Sequence, residues 1–278
     1  MAAMQRKELL AALPQSWRRM LGDFRFQSVE HGMSDARIFR LRDPASQTFY
    51  LKAAMSAAVS DGMSDDKSDA LSEFRSEIER TRWLSTRNVP VPEILDLFDD
   101  GRIGAALMTA LPGSHPHELA QPPAEIVAHL ARGLRALHAR TAADCPFDET
   151  TAARLARARA MIDENRIDPN AFDERNVGRS PLKIYQRLAA DAPRIPNDIV
   201  IVQGDATFDN LLIDAEGALG FIDCGHAGRG DRYLDLEAVT SDIDEHFGVQ
   251  WVEEFARCYD VMLDPTKLRF FDDLYEFF

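Results

Sequence analysis

The chain has 278 residues, 45% of them hydrophobic, which is enough for two lobes, each with a core of its own. Lys and Arg number 32 against 46 Asp and Glu, a net charge of −14, so the surface repels nucleic-acid phosphate and favours polycations. No apolar run reaches membrane-spanning length. The three cysteines (Cys145, Cys224, Cys258) form no C-x-x-C pair, which argues against a zinc site or disulfide framework and for reduced thiols in the cytoplasm.

Residues 1–20 carry Arg6, Lys7, Glu8 and Arg18 around Leu9, Leu10 and Leu13. That pattern is too charged for an export signal and predicts a surface helix stopped by Pro14. Residues 24–30 alternate apolar and polar, a half-buried strand; 31–35 turn, 36–41 resume, 43–46 turn again, and 48–52 make a third strand. Lys52 sits on that apolar strand, where an unpaired ammonium is costly, so it needs a carboxylate partner. Residues 56–69 are small and polar, and read as a loop. Helical spacing then runs over 70–87, with Leu71, Phe74 and Ile78 three or four apart and Glu73, Glu77 and Glu79 among them.

Val89-Pro90-Val91-Pro92 is extended by proline geometry and leads into strands at 93–99 and 103–110. Pro122-Pro123 opens a helix whose stripe is Ile126, Leu130, Leu134, Leu137 and His138, the last read as a hydrogen-bonded core histidine. A helix over about 150–165 carries Arg154, Arg157 and Arg159, taken as a solvated basic face. Residues 168–176 form an acidic, turn-rich segment, and 182–191 another amphipathic helix.

The most informative stretch is 199–235. Apolar runs at 199–202, 211–213 and 219–222, bounded by Gly and Asp, read as short buried strands. They leave Asp205, Asn210 and Asp223 at strand ends, hard oxygen donors of the kind Mg²⁺ prefers and shares with nucleotide phosphate. A kinase catalytic loop has an Asp that receives the hydroxyl proton, an Asn five positions on that holds metal, and a later metal-binding Asp. Asp205, Asn210 and Asp223-Cys224-Gly225 stand in that order.

With Gly-Asp-Ala-Thr-Phe-Asp-Asn at 204–210, Gly-Phe-Ile-Asp-Cys-Gly at 220–225 and Asp-Arg-Tyr-Leu-Asp at 231–235, the chain resembles the aminoglycoside 3′-phosphotransferases, antibiotic-resistance kinases of protein-kinase-like fold. The resemblance implies an α+β, two-lobed architecture: an N-lobe antiparallel sheet plus helix over 1–110, and a mainly helical C-lobe over 111–278. It implies ATP, with GTP not excluded, and Mg²⁺. Lys52 would hold phosphates, paired with Glu77, or with Glu73 one turn earlier. Met33 and Ser34 would flank the phosphates, Tyr50 and Ile222 would sandwich the base, and the crossing at Thr109 and Leu111 would offer backbone groups to adenine. Asp205 would be catalytic and Asn210 and Asp223 would hold metal. Asp173, Glu174, Glu276 and the Phe278 carboxylate would grip the ammonium groups of a polycationic acceptor. Asp235 would brace the catalytic loop.

A cytoplasmic monomer or weak dimer with no nucleic-acid or membrane partner fits this reading. Four positions depart from the family's usual pattern. Gln203 stands for a His and keeps a donor and an acceptor. His226 and Ser241 stand for arginines, and Tyr275 precedes Glu276 where adjacent acids are usual. The last three belong to the acceptor-binding set, so a kinase for another small hydroxyl compound, such as a macrolide or sugar, is the alternative, followed by a nucleotide-binding module without catalysis.

Overall fold

The two central strands of the first sheet, Thr48–Met55 and Ile103–Thr109, are buried on both faces, and the alternating direction of their side chains decides what each face receives. A computed structural model describes residues 6–29, 36–56, 70–173 and 175–278. The chain divides into two compact units, Met1–Leu111 and Pro112–Phe278.

In the first unit, β1 (Arg25–Val29), β2 (Arg37–Arg42), β3 (Thr48–Met55), β4 (Ile94–Asp99) and β5 (Ile103–Thr109) form an antiparallel sheet in the order β1-β2-β3-β5-β4. Successive side chains of a strand point to opposite faces. Leu51 and Ala53 of β3 therefore join one core, with Phe39, Leu41, Ile103, Ala105 and Leu107. Ala54 joins the other, with Tyr50 packed against it.

Two helices, α1 (Arg6–Ala12) and α2 (Gln15–Leu21), cover the first of these cores. The expected surface helix stopped by Pro14 is α1, with Arg6, Lys7 and Glu8 exposed, and its inward face continues in α2: Leu9, Leu13, Trp17 and Leu21 are all buried. They recur every fourth residue, so one apolar stripe continues past Pro14, which breaks the helix without turning the stripe away from the sheet. Helix α3 (Ala70–Thr86) covers the second core through Leu71, Phe74 and Ile78. Phe74 fits because residue 104 is glycine; a Cβ there would stand 2.5 Å from the Phe74 ring.

The second unit is mainly helical, with α4 (Pro123–His138), α5 (Thr151–Asp163), α6 (Pro181–Asp191), α7 (Tyr233–Phe247), α8 (Gln250–Tyr259) and α9 (Pro265–Tyr275). The stripe of α4, including His138, is buried, and the helix packs along α8. The apolar runs read from sequence form β7 (Ile199–Val202), β8 (Leu211–Ile213) and β9 (Leu219–Phe221). β8 and β9 pair as a hairpin. Helix α7 starts at Tyr233, just after Gly228–Asp231, which forms a strand, β10. Its side chains give no strand pattern. It is held by antiparallel pairing with β7 and parallel pairing with the short β6 (Asp148–Glu149). No described helix is long and apolar enough to cross a membrane.

Phe74→Ala, which empties the contact between α3 and β5, is expected to cost about 3–5 kcal/mol, read as a lower urea midpoint with an unchanged slope.

Candidate active site

In the first unit, Lys52 shares the face of β3 that α3 covers, being two residues from both Tyr50 and Ala54. It is buried and ion-paired with Glu77 Oε2, also buried, on the inner side of α3. Glu73 lies on the exposed side of that helix. Tyr50 pairs with Met108 across the β3–β5 ladder. Thr109 closes β5: its Oγ1 accepts from the Glu93 N–H at 2.9 Å and its own N–H donates to Glu93 O at 3.0 Å. Leu111, the last residue of the unit, is half-buried. Met33, Ser34 and Glu174 lie outside the described residues.

In the second unit, the loop after β7 turns at Gly204, whose φ is +85° and where a Cβ would stand 2.1 Å from His226 O, so only glycine fits. Asp235, in the first turn of α7 and 0% exposed, accepts from the backbone N–H groups of Gln203 (2.8 Å) and Gly204 (2.7 Å). His138 Nε2 lies 2.9 Å from the same carboxylate and His138 Nδ1 2.5 Å from the Tyr259 hydroxyl. The Gln203 side chain uses both ends of its amide. Its Nε2 donates to the carbonyls of Ile222 and Asp223, each at 3.1 Å, and its Oε1 accepts from the Asp205 N–H at 2.6 Å. Gln203 thus ties the loop carrying Asp205 to the turn carrying Ile222 and Asp223.

Asn210 donates through Nδ2 to Asp205 Oδ2 (2.8 Å) and to the Asp205 carbonyl (2.9 Å), and its own carbonyl accepts from the Ile222 N–H at 3.0 Å. The Asn210 amide oxygen is left for another ligand. Asp223 takes a left-handed conformation (φ 49°, ψ 60°), which Asp tolerates better than most residues, and its carboxylate is exposed. An amide oxygen and a carboxylate are hard donors that suit Mg²⁺. A second oxygen-and-imidazole group, Asp242, Glu245 and His246, lies on α7 with donor atoms within 4.8 Å of one another. Asp242 there accepts the Phe208 N–H, from the same loop, at 2.5 Å.

Asp205 Oδ1 accepts from the Tyr275 hydroxyl at 2.6 Å. Burial pushes the Asp205 carboxyl up to about 6, opposed by the Tyr275 hydrogen bond, supported by the nearby charge of Asp223 and opposed by that of Arg154.

The basic face expected on α5 is corrected at Arg154. It is 0% exposed, donates through Nη2 to Gly204 O at 2.8 Å and through Nε to Glu149 at 3.2 Å, and lies 4.9 Å from the Phe278 ring. The reason is tertiary: the C-terminal aromatic ring and the glycine turn converge on this helix face, and a guanidinium meets a carbonyl, a carboxylate and a π-face together.

Among the expected acceptor residues, Glu276 accepts from Asn176 Nδ2 (2.7 Å) and from the Asp173 N–H (3.1 Å), which joins the 168–176 segment to the C-terminal tail. Phe277 is buried against Phe172, and the Phe278 ring meets His226 edge-on. Reading by sequence missed Glu237, two residues after Asp235. Burial, helped by the charges of Asp272, Asp173 and Asp242 and opposed by that of Arg175, pushes its carboxyl up to about 8. Its signal was an acid set among Leu236, Ala238 and Val239, all buried on α7.

The sequence pattern of the phosphotransferase enzyme family matches residues 25–271. Over 269 residues the chain is 29% identical to an aminoglycoside 3′-phosphotransferase of Niallia circulans, covering 95% of this chain and 97% of that protein. It is 31% identical over 218 residues to one of Streptomyces fradiae, covering 74% and 80%. A crystal structure of an aminoglycoside-3′-phosphotransferase of type VIII superposes with a TM-score of 0.79 at 27% identity, covering 95% of this chain and 97% of that one.

Asp235→Asn puts an amide NH₂ against backbone N–H donors. It is expected to cost about 3 kcal/mol of stability, seen in thermal unfolding, and to lower turnover at least as far as it loosens the 203–205 backbone.

Proposed function

Because the chain belongs to the phosphotransferase enzyme family, we propose that it transfers the γ-phosphoryl group of ATP, with Mg²⁺, to a hydroxyl of an aminoglycoside, the chemistry of resistance to these antibiotics. The observation that carries this reading is the Gln203-centred lattice, which brings Asp205, Asn210 and Asp223 into one hydrogen-bonded group. The relatives, aminoglycoside 3′-phosphotransferases, supply the acceptor class.

Each residue then has a defined task. Lys52, held in place by Glu77, binds the α- and β-phosphates. Tyr50, Ile222, Thr109 and Leu111 receive the base. The oxygens of Asn210 and Asp223 would hold the divalent ion, whose charge would offset that of the phosphate oxygens. Asp205 orients the acceptor hydroxyl and takes its proton late in the transfer. Its raised pKa makes it a stronger base than an ordinary carboxylate, while positioning supplies most of the rate.

The acceptor's ammonium groups go to the acidic side of the unit. Burial raises the pKa of Glu237, Asp272 and Glu276, and repulsion among these acids and Asp173 adds to the rise. A polycation relieves that repulsion, so the arrangement favours a substrate with several amines over a neutral sugar.

Asp205→Asn is expected to lower turnover with kanamycin by about 10²–10⁴-fold in a coupled ADP-release assay, with ATP binding retained. Near-normal turnover would remove Asp205 from the mechanism, and transfer only to a non-aminoglycoside hydroxyl would replace the acceptor.

Glu237 supplies a pH test. Its folded value of about 8 stands above the ordinary 4.5, so its contribution to stability is full below about 4.5 and is lost as pH rises through about 8. Glu237→Gln should therefore gain stability relative to the parent between pH 5 and 8, followed by thermal unfolding. The same variant should bind kanamycin more weakly and lose the strengthening of binding that the parent shows as Glu237 ionises toward pH 8.

A further inference from the structure

The contact between Tyr275 and Asp205 is not needed to hold the tail in place. The residues around Tyr275 are fixed independently: Phe277 by Phe172, Phe278 by Arg154 and Arg157, and Glu276 by Asn176 and the Asp173 backbone. Tyr275 itself is 37% exposed, yet its hydroxyl reaches Asp205 Oδ1 at 2.6 Å. The other side-chain donor to the carboxylate, Asn210, comes from Asp205's own loop and takes Oδ2. A tail fixed by other contacts thus presents one phenol to the oxygen that a general base must keep for its substrate.

That distance is the one an acceptor hydroxyl must reach to hand over its proton. The phenol is an imitation of the substrate that cannot react: burial and the charges of Asp205 and Glu237 keep it protonated. We infer that Tyr275 is a positioning residue that guards Asp205, occupying Oδ1 until an acceptor hydroxyl displaces it and so denying the carboxylate to water. This inference rests on the phosphotransferase reading. Without the guard, a water oxygen would bond to the γ-phosphorus as the bond to the ADP oxygen breaks, and Asp205 would receive the water proton. ATP would then be hydrolysed with no acceptor present.

A polyamine acceptor explains why a tyrosine serves here better than an acid. A carboxylate at 275 would repel Asp205 and could not donate to it. The neutral phenol donates and leaves when a hydroxyl anchored by its own ammonium groups arrives.

The test compares wild type, Tyr275→Phe, Asp205→Ala and the double variant in ATP with Mg²⁺, with water as the only acceptor and again with kanamycin. Tyr275→Phe keeps the ring and removes only the donor. Acceptor-free hydrolysis should rise about tenfold in Tyr275→Phe, and the rise should vanish in the Asp205→Ala background. Transfer to kanamycin should fall far less than hydrolysis gains. A purely structural phenol would lower both rates together, and that result, like an unchanged hydrolysis rate, overturns the guard while leaving the phosphotransferase reading in place. No transfer and no hydrolysis in any variant overturns both.

A second readout needs no nucleotide. Tyr275→Phe should lower the melting temperature of the parent but not of Asp205→Ala, since the bond it deletes is already gone there. An equal shift in both backgrounds also overturns the inference.

Discussion

Two backbone N–H groups meeting one buried carboxylate hold the loop after β7 in shape. Asp235 accepts from Gln203 and Gly204 just where the chain turns through a positive φ, and the remaining demand of its charge is met by His138. A buried carboxylate is tolerated only when its oxygens are satisfied, and a left-handed turn only when its surroundings over-determine it. Here each requirement meets the other. Asp235 sits on α7, His138 on α4 and Gly204 after β7, so three elements are locked by one anion.

From that fixed turn the rest of the group follows by short-range bonds. Gln203 is aimed by its own braced amide, and its side chain sets both the Asp205 backbone and the Asp223 turn. An imidazole in its place has two ring nitrogens; the amide offers two N–H donors and an oxygen acceptor, and three bonds are made. The departure at 203 therefore keeps a coherent hydrogen-bond lattice, which weighs against loss of catalysis. The changes at 226 and 275 act differently. His226 presents its ring edge to Phe278, where an arginine would add a charge, and Tyr275 turns a donor toward Asp205.

Several acids of the second unit are paired with donors that belong to the protein. Arg175 and Arg187 bind Asp273, Arg175 also pairs with Asp272, and Asn176 bridges Asp273 and Glu276. These partners cover the acids nearest the tail, while at Glu237 burial and the charges of Asp272, Asp173 and Asp242 outweigh that of Arg175. A proton on Glu237 relieves the repulsion, as its raised pKa shows, and in the proposed reaction an arriving cation takes the proton's place. The negative charge in the composition gains a location from this arrangement, which a net sum could not supply.

The sequence by itself determined the elements with strong periodicity and the spacing of the chemical groups. The strands of the first sheet, α3, α4 and the three short strands around residue 205 follow from apolar spacing, because burial of one face imposes a period of two or 3.6 on any chain. Asp205, Asn210 and Asp223 were legible because a turn between short strands leaves little freedom in where its polar residues stand. What only tertiary structure decided are contacts between residues far apart in the chain. Among them are Glu77 rather than Glu73 on Lys52, Arg154 drawn inward by Gly204 and Phe278, a strand at Gly228–Asp231 with no apolar signal, and the Tyr275 hydroxyl on Asp205. A side chain's local pattern says which face it occupies, while its partner is set by what the rest of the fold brings to that face.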